Sequence, residues 1–136
     1  MTAGAVFADT SFYLALMRSD DSLHAIAVRE AAVDRRIITS EFVILELGNA
    51  CACAADHGDF LDLVEGLRAS PRVSIVPLDS RFLNRGVRRM AERADKDWSL
   101  TDCISFLIMD DAGLREALTA DRHFEQAGFR ALLKPV

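Results

Sequence analysis

Four acids in this chain stand beside apolar runs and raise the question of what their charge is for. Glu46 lies inside FVILELGNACACAA (Phe42–Ala55), where Asn49 is the other strongly polar residue. Asp102 heads the run CISFLIM, in which only Ser105 is polar between Cys103 and Met109. Asp9 follows the apolar run Ala5–Ala8, and Asp121 follows Leu118-Thr119-Ala120. An ionised carboxylate taken out of water without a partner costs several kcal/mol, so each needs a cation, a proton or a cap. Single structural explanations exist. Ser99-x-x-Asp102 has capping-box spacing, and Asp9, Asp79 and Asp121 stand at strand ends, where an N-cap aspartate contributes about 1 kcal/mol. An arginine could pair with Glu46. Together, however, four carboxylates converging at one end of a sheet would repel strongly without a counter-charge. Oxygen ligands in that number suit Mg²⁺ or Mn²⁺. Zinc fits less well: His24, His57 and His123 show no paired spacing, and Cys51-x-Cys53 should point its thiols apart on a helix.

Other acids need no such role. Glu41 follows Ser40, a helix N-cap, where a carboxylate suits the dipole. Asp97 reads as a solvated turn acid, with the outer shell of the site as the alternative, and Asp110 and Asp111 fall at a helix C-terminus, so their place is solvent.

Alternating short apolar runs and helical patterns must position these residues. Ala5–Ala8, Arg36–Thr39, Val73–Val76, a weak Ala117–Thr119 and a segment near Phe129–Leu133 read as strands. Helices are expected over Ser11–Arg18, Ser22–Val33, Glu41 to about Ala55, Phe60–Ala69, Arg81–Ala94 and Leu100–Asp111. Strands alternating with helices imply βαβ units and a parallel sheet covered on both faces. Such sheets place their sites beyond the carboxyl ends of strands, near the reversal of strand order.

The bulk numbers narrow the class. At 136 residues and 15.0 kDa the chain reads as one domain, 1–136, and 51% hydrophobic content rules out a disordered chain. The N-terminus lacks a basic region followed by an apolar one, so no signal peptide is expected. No run approaches the roughly 20 apolar residues of a membrane span. Three cysteines without a CxxC fit free thiols in a reducing cytoplasm. A net charge of −5 argues against a generic polyanion-binding surface. Any nucleic-acid reading must therefore supply metal.

The segments FADTSFYLAL, TSEFVILELGNA, DWSLTDCISF and TADRHFEQAGF resemble, in order and spacing, the four acidic motifs of PIN-domain ribonucleases, and within them VapC-type toxins of bacterial toxin–antitoxin pairs. The resemblance implies a three-layer α/β/α fold around a central, mainly parallel sheet of four to five strands. It implies a metal-dependent endoribonuclease in which Asp9, Glu46, Asp102 and Asp121 are the catalytic acids and metal ligands. Thr10 takes the hydroxyl position beside the first acid. Asn49, on the face of Glu46, and Thr101 are supporting candidates, with Thr119 beside them. Mg²⁺ or Mn²⁺ held there would activate water for in-line attack on a phosphodiester, leaving a 5′-phosphate and a 3′-hydroxyl.

RNA, a small antitoxin protein and a second copy in a homodimer are the implied partners, with no membrane. The helix Arg81–Ala94 carries Arg81, Arg85, Arg88 and Arg89 on one side and Leu83, Val87, Met90 and Ala94 on the other. Its basic side reads as a solvated face or as a phosphate-contacting stripe. Arg122 and His123, with Arg85, are the candidate RNA contacts. The apolar stretch Ser11–Met17 with Leu23–Val33 is a candidate antitoxin groove. Two rival readings remain: a housekeeping PIN nuclease acting in RNA processing or on DNA, and an inactive PIN-like binding module, against which the four acids argue. An aspartyl phosphatase would need a D-x-D after the first strand, where Asp9-Thr10-Ser11 stands.

Overall fold

The structure, a computed structural model, describes residues 3–134. The ends of the expected 1–136 domain lie outside them. Strands β1 (Ala3–Ala8), β2 (Arg35–Ser40), β3 (Val73–Val76), β4 (Glu116–Leu118) and β5 (Arg130–Ala131) form one sheet in the order β3-β2-β1-β4-β5. Every pairing is parallel. The connecting helices are α1 (Thr10–Met17), α2 (His24–Ala31), α3 (Glu41–Ala50), α4 (His57–Ala69), α5 (Ser80–Glu92), α6 (Leu100–Ala112) and α7 (Arg122–Gln126). From β1 the chain steps outward to β2 and β3, then crosses back to β4 and β5 beyond β1. Right-handed crossovers running in opposite directions put their helices on opposite faces. Most of the packing agrees: α1 meets α2 and α3, α3 meets α4, and α6 meets α5 and α7, while α3 also meets α6. The expected three-layer α/β/α fold is therefore present, with five strands in a wholly parallel sheet. Among the described residues no helix is long and apolar enough to cross a membrane.

The central position of β1 explains its lack of polar alternation: Val6, Phe7 and Ala8 are all buried, as a strand covered on both faces requires. Helix α6 is buried without a break from Asp102 to Met109, which is why it has no polar stripe. It ends at Gly113, whose φ of 69° is the left-handed cap that glycine adopts freely. Phe106 of α6 packs against Trp98, Phe124 and Phe129 at ring-centroid distances of 5.0, 4.9 and 5.7 Å. That cluster ties α6 to α7, the two helices whose first residues carry or follow Asp102 and Asp121.

Helix α7 was not among the expected helices, and two others differ from expectation. Helix α3 stops at Ala50, and a 3₁₀ turn over Ala54–Asp56 leads into α4 at His57. The break lets α4 fold back on α3, with Phe60 so close to Gly48 that an added Cβ would lie 3.1 Å from its ring. Cys51 is buried and Cys53 exposed, so the thiols point apart as expected, but from a turn and not from a helix. Helix α5 is rotated relative to its amphipathic pattern. Gly86 is its buried residue, while Leu83, Val87 and Met90 are 41%, 52% and 41% exposed.

Gly86 makes that rotation possible. A Cβ there would lie 2.5 Å from Ile104 Cγ1 and 3.2 Å from Leu100 Cδ1, and Ile104 is fully enclosed. Gly86→Ala is therefore expected to destabilise by about 1–2 kcal/mol, because overpacking outweighs the helix-propensity gain of about 1 kcal/mol. Gly66→Ala on α4 meets nothing within 4 Å and should stabilise by about 0.5–1 kcal/mol. Urea midpoints check the pair. A similar gain in both would mean that α5 and α6 are not in rigid contact.

Candidate active site

Beyond the carboxyl ends of the strands lies an open cleft of about 340 Å³, lined by Asp9, Thr10, Ser11, Leu14, Glu46, Asp97, Ser99, Asp102, Asp121 and His123. Strand order reverses between β1 and β4, the place where open parallel sheets form sites. Four acids reach the cleft from four elements: the end of β1, the middle of α3, the first turn of α6 and the entry to α7. Asp9 and Asp102 are buried, whereas Glu46 and Asp121 are half-buried. Glu46 is wetter than its sequence neighbours suggest, because Leu45 and Asn49 beside it are exposed.

The capping explanation separates these acids. Asp79 accepts the Arg81 amide at 2.6 Å and is exposed; it caps α5 and lies outside the cleft. Asp121 caps α7 through the His123 amide at 2.9 Å. Asp102 completes a reciprocal capping box, accepting from the Ser99 amide at 3.0 Å while its own amide donates to Ser99 Oγ at 3.0 Å. Asp9 occupies the N-cap position of α1, yet its side chain makes no cap bond. Its Oδ2 instead accepts from the hydroxyls of Thr119 at 3.0 Å and Ser11 at 3.2 Å.

A common pattern runs through all four carboxylates. Thr10 Oγ1 donates to Glu46 Oε1 at 2.6 Å. His123 Nδ1 lies 3.0 Å from Asp102 Oδ2 and 3.3 Å from Asp121 Oδ1. The well-formed hydrogen bonds thus fall on Asp9 Oδ2, Glu46 Oε1, Asp102 Oδ2 and Asp121 Oδ1. The second oxygen of each accepts none of these bonds. Carboxylates whose rotation the protein fixes in this way fit a hard divalent cation, which takes oxygen ligands and keeps waters. Asp102, Asp121 and His123 also bring one ligand atom each within 4.8 Å of one another.

The electrostatics are those of a site short of positive charge. Asp9 is pushed up to about 7, chiefly by burial, with the charges of Asp102 and Glu46 adding to the rise. The Thr10 amide and Thr119 hydroxyl oppose it. Burial likewise raises Asp102, helped by the charge of Asp121 and opposed by the Ser99 amide and His123.

The remaining candidates divide. Thr10 lies in the cleft, but Asn49 and Thr101 line a neighbouring hollow of about 330 Å³ that shares Glu46 with Phe42, Leu78 and Leu83. Arg122 is exposed beside Asp121 and makes no ion pair among the described residues. Arg85 is committed elsewhere: its guanidinium grips Asp111 through two bonds of 2.7 and 3.0 Å. That pair holds the Asp111 carboxyl below its ordinary range; Asp111 is exposed as expected and in addition ion-paired. The rotation of α5 causes this pairing. Ser11 was not anticipated, although its place in Asp-Thr-Ser on the first turn of α1 is a usable signal. Asp97 is exposed, as a solvated turn acid should be, and also lines the cleft, as its alternative reading had it.

The fold and the cleft define a class: an α/β/α domain with a four-acid site at the carboxyl edge of a parallel sheet. The PIN domain family model matches residues 6–130. The chain belongs to the PIN domain family. It is 26% identical over 125 residues to the 23S rRNA-specific endonuclease VapC20 of Mycobacterium tuberculosis H37Rv, covering 91% of this chain and 95% of that one. The crystal structure of VapC20, described as a Sarcin-Ricin loop cleaving toxin, matches with a TM-score of 0.82 at 25% identity, again covering 91% and 95%. FitAcB from Neisseria gonorrhoeae matches at 0.63 and 17% identity, and VapBC2 from Rickettsia felis, bound to a promoter DNA fragment, at 0.64 and 11%. Each covers 93% of this chain and 96% of its own, and these two carry the likeness of fold alone.

Proposed function

We propose that this chain is an Mg²⁺- or Mn²⁺-dependent endoribonuclease, the toxin of a bacterial toxin–antitoxin pair, built as one PIN domain over residues 1–136. The observation that carries the reading is the convergence of four carboxylates, from four separate elements, in one cleft. Asp9, Glu46, Asp102 and Asp121 are the residues to hold the ion. When bound, the ion polarises the phosphodiester and supplies activated water. Thr10, Ser11 and Thr119 fix the rotation of Glu46 and Asp9 through their hydroxyls. Arg122 at the cleft rim contacts the RNA backbone. RNA is the substrate by analogy with VapC20, whose name specifies 23S rRNA.

The protein partners have surfaces to match. A hollow of about 630 Å³ lined by Ile44, Phe60, Leu61 and Val64 suits an apolar antitoxin segment better than α1, whose Phe12, Tyr13 and Ala15 are buried in the core. The exposed Leu83, Val87 and Met90 of α5 suit a second copy, giving a homodimer. Three cysteines without disulfides suit a cytoplasmic protein.

Cleavage of 23S rRNA fragments tests the reading. Cutting is expected with Mn²⁺ or Mg²⁺, to stop with chelator, to return with added Mn²⁺, and to leave 5′-phosphate ends. Expression without an antitoxin should arrest growth. Cleavage indifferent to chelator would sink the metal mechanism, and cleavage without growth arrest would favour a housekeeping nuclease.

A further inference from the structure

We propose that His123 is a positioning residue for the acid cluster: its Nδ1–H donates to Asp102 while the same nitrogen lies against Asp121, and this contact fixes where the two carboxylates stand. The inference rests on the metal reading above and replaces the expectation that His123 contacts RNA. Nδ1 lies 3.0 Å from Asp102 Oδ2 and 3.3 Å from Asp121 Oδ1, so one ring nitrogen meets acids belonging to two separate elements. Two neighbouring carboxylates repel, and a donor between them offsets that repulsion while fixing the distance.

The choice of oxygens argues for positioning over ligation. Asp102 Oδ2 already accepts from the Ser99 amide, and Asp121 Oδ1 from the His123 amide. The imidazole therefore joins the protein's own hydrogen bonds on the committed oxygens and leaves Asp102 Oδ1 and Asp121 Oδ2 to a cation. Carboxylates that ligate metals are themselves held by hydrogen bonds, and losing such a partner weakens metal affinity about 10–100-fold. The ring is held in turn: His123 is in the first turn of α7, whose Phe124 packs edge-on against Phe106 of α6, with centroids 4.9 Å apart. The packing that joins the two helices also sets the bridge.

The test measures Mn²⁺ affinity of the full chain by electron paramagnetic resonance, without RNA. His123→Ala should weaken binding about 10–100-fold. His123→Asn places an amide N–H two bonds beyond Cβ, where Nδ1 stands, and should restore most of the affinity. His123→Gln places its N–H one bond further and should not. Unchanged affinity in His123→Ala, or a Gln variant that restores binding when Asn does not, overturns the bridge. So does a His123→Ala protein whose only change is a raised KM for RNA, since that is the signature of a backbone contact. If His123→Ala fails to fold, the Asn and Gln variants decide alone. Loss of Mn²⁺ binding in Asp9→Asn, with His123→Ala unaffected, leaves the metal reading standing and this inference fallen. If the unsubstituted protein binds no Mn²⁺, the metal reading itself fails, and the bridge falls with it.

Discussion

Asp102→Asn is expected to lower RNA cleavage about a hundred- to a thousandfold, the size of loss seen when one preorganised electrostatic contact is removed from an active site, while changing stability by less than about 1 kcal/mol. The asymmetry follows from the two oxygens of Asp102. Oδ2 accepts from the Ser99 amide and faces His123, and the carbonyl of an asparagine can take over both tasks. The open oxygen becomes an NH₂ group, which repels a cation. Ser99→Ala should do the opposite. It removes the hydroxyl that accepts the Asp102 amide, costing about 1 kcal/mol of stability and leaving most of the activity. Single-turnover cleavage and thermal melts on both variants separate the roles. Full activity in Asp102→Asn with a lowered melting temperature would reduce Asp102 to a helix cap.

The capping box at Ser99 and Asp102 was legible from four residues of sequence, and so was the buried helix behind it, because both are local. The alternation of apolar runs likewise exposed the α/β class. What stayed hidden depends on pairing between distant segments. Parallel register sets Ala8 against Leu118, so the next residues, Asp9 and Thr119, become neighbours and share a hydrogen bond across 110 residues of chain. No local pattern announces that. The same register distinguishes Asp9 from Asp79, which look alike as strand-end acids. Strand β1 borders the reversal of strand order, whereas β3 is at the sheet edge, so Asp79 stands away from the cleft that the other strand-end acids line.

The rotation of α5 was hidden for a different reason. Its arginines and aliphatics separate cleanly, and an amphipathic pattern normally turns its apolar side inward. The pattern says where an apolar face is, not what covers it. Here the absence of a side chain at Gly86 lets α5 approach Ile104 closely. Arg85 then reaches Asp111, and Leu83, Val87 and Met90 are left outside. A glycine amid good helix formers was the available clue, since it weakens a helix by about 1 kcal/mol unless close packing repays it.

The metal-free protein is expected to lose stability as the pH rises from about 4 to 7, and a divalent cation should reverse the loss. Asp9 is responsible for most of it. Folding raises its pKa from 3.8 to about 7, mainly by burial. The folded state therefore holds a proton that the unfolded chain gives up near its ordinary value. Stability from this group is complete below the unfolded pKa and falls as pH climbs to the folded one, by about 1.4 kcal/mol per unit. Over the whole window the loss approaches about 4 kcal/mol. Asp102 is raised as well and adds in the same direction. Asp95 and Asp111 are shifted downward, so their contributions disappear only as pH falls below the ordinary carboxylate value, outside this window. Urea unfolding of chelated protein at pH 5 and pH 8 measures the slope. Asp9→Asn has no proton to lose and should flatten it, leaving the variant more stable than the unsubstituted protein at pH 8 without metal. With saturating Mn²⁺ the order should invert, because a cation that displaces the proton stabilises only the chain that keeps the carboxylate. Equal slopes in the two proteins would mean that Asp9 is ionised in the folded state throughout, and that its burial is offset by a cation the protein already supplies.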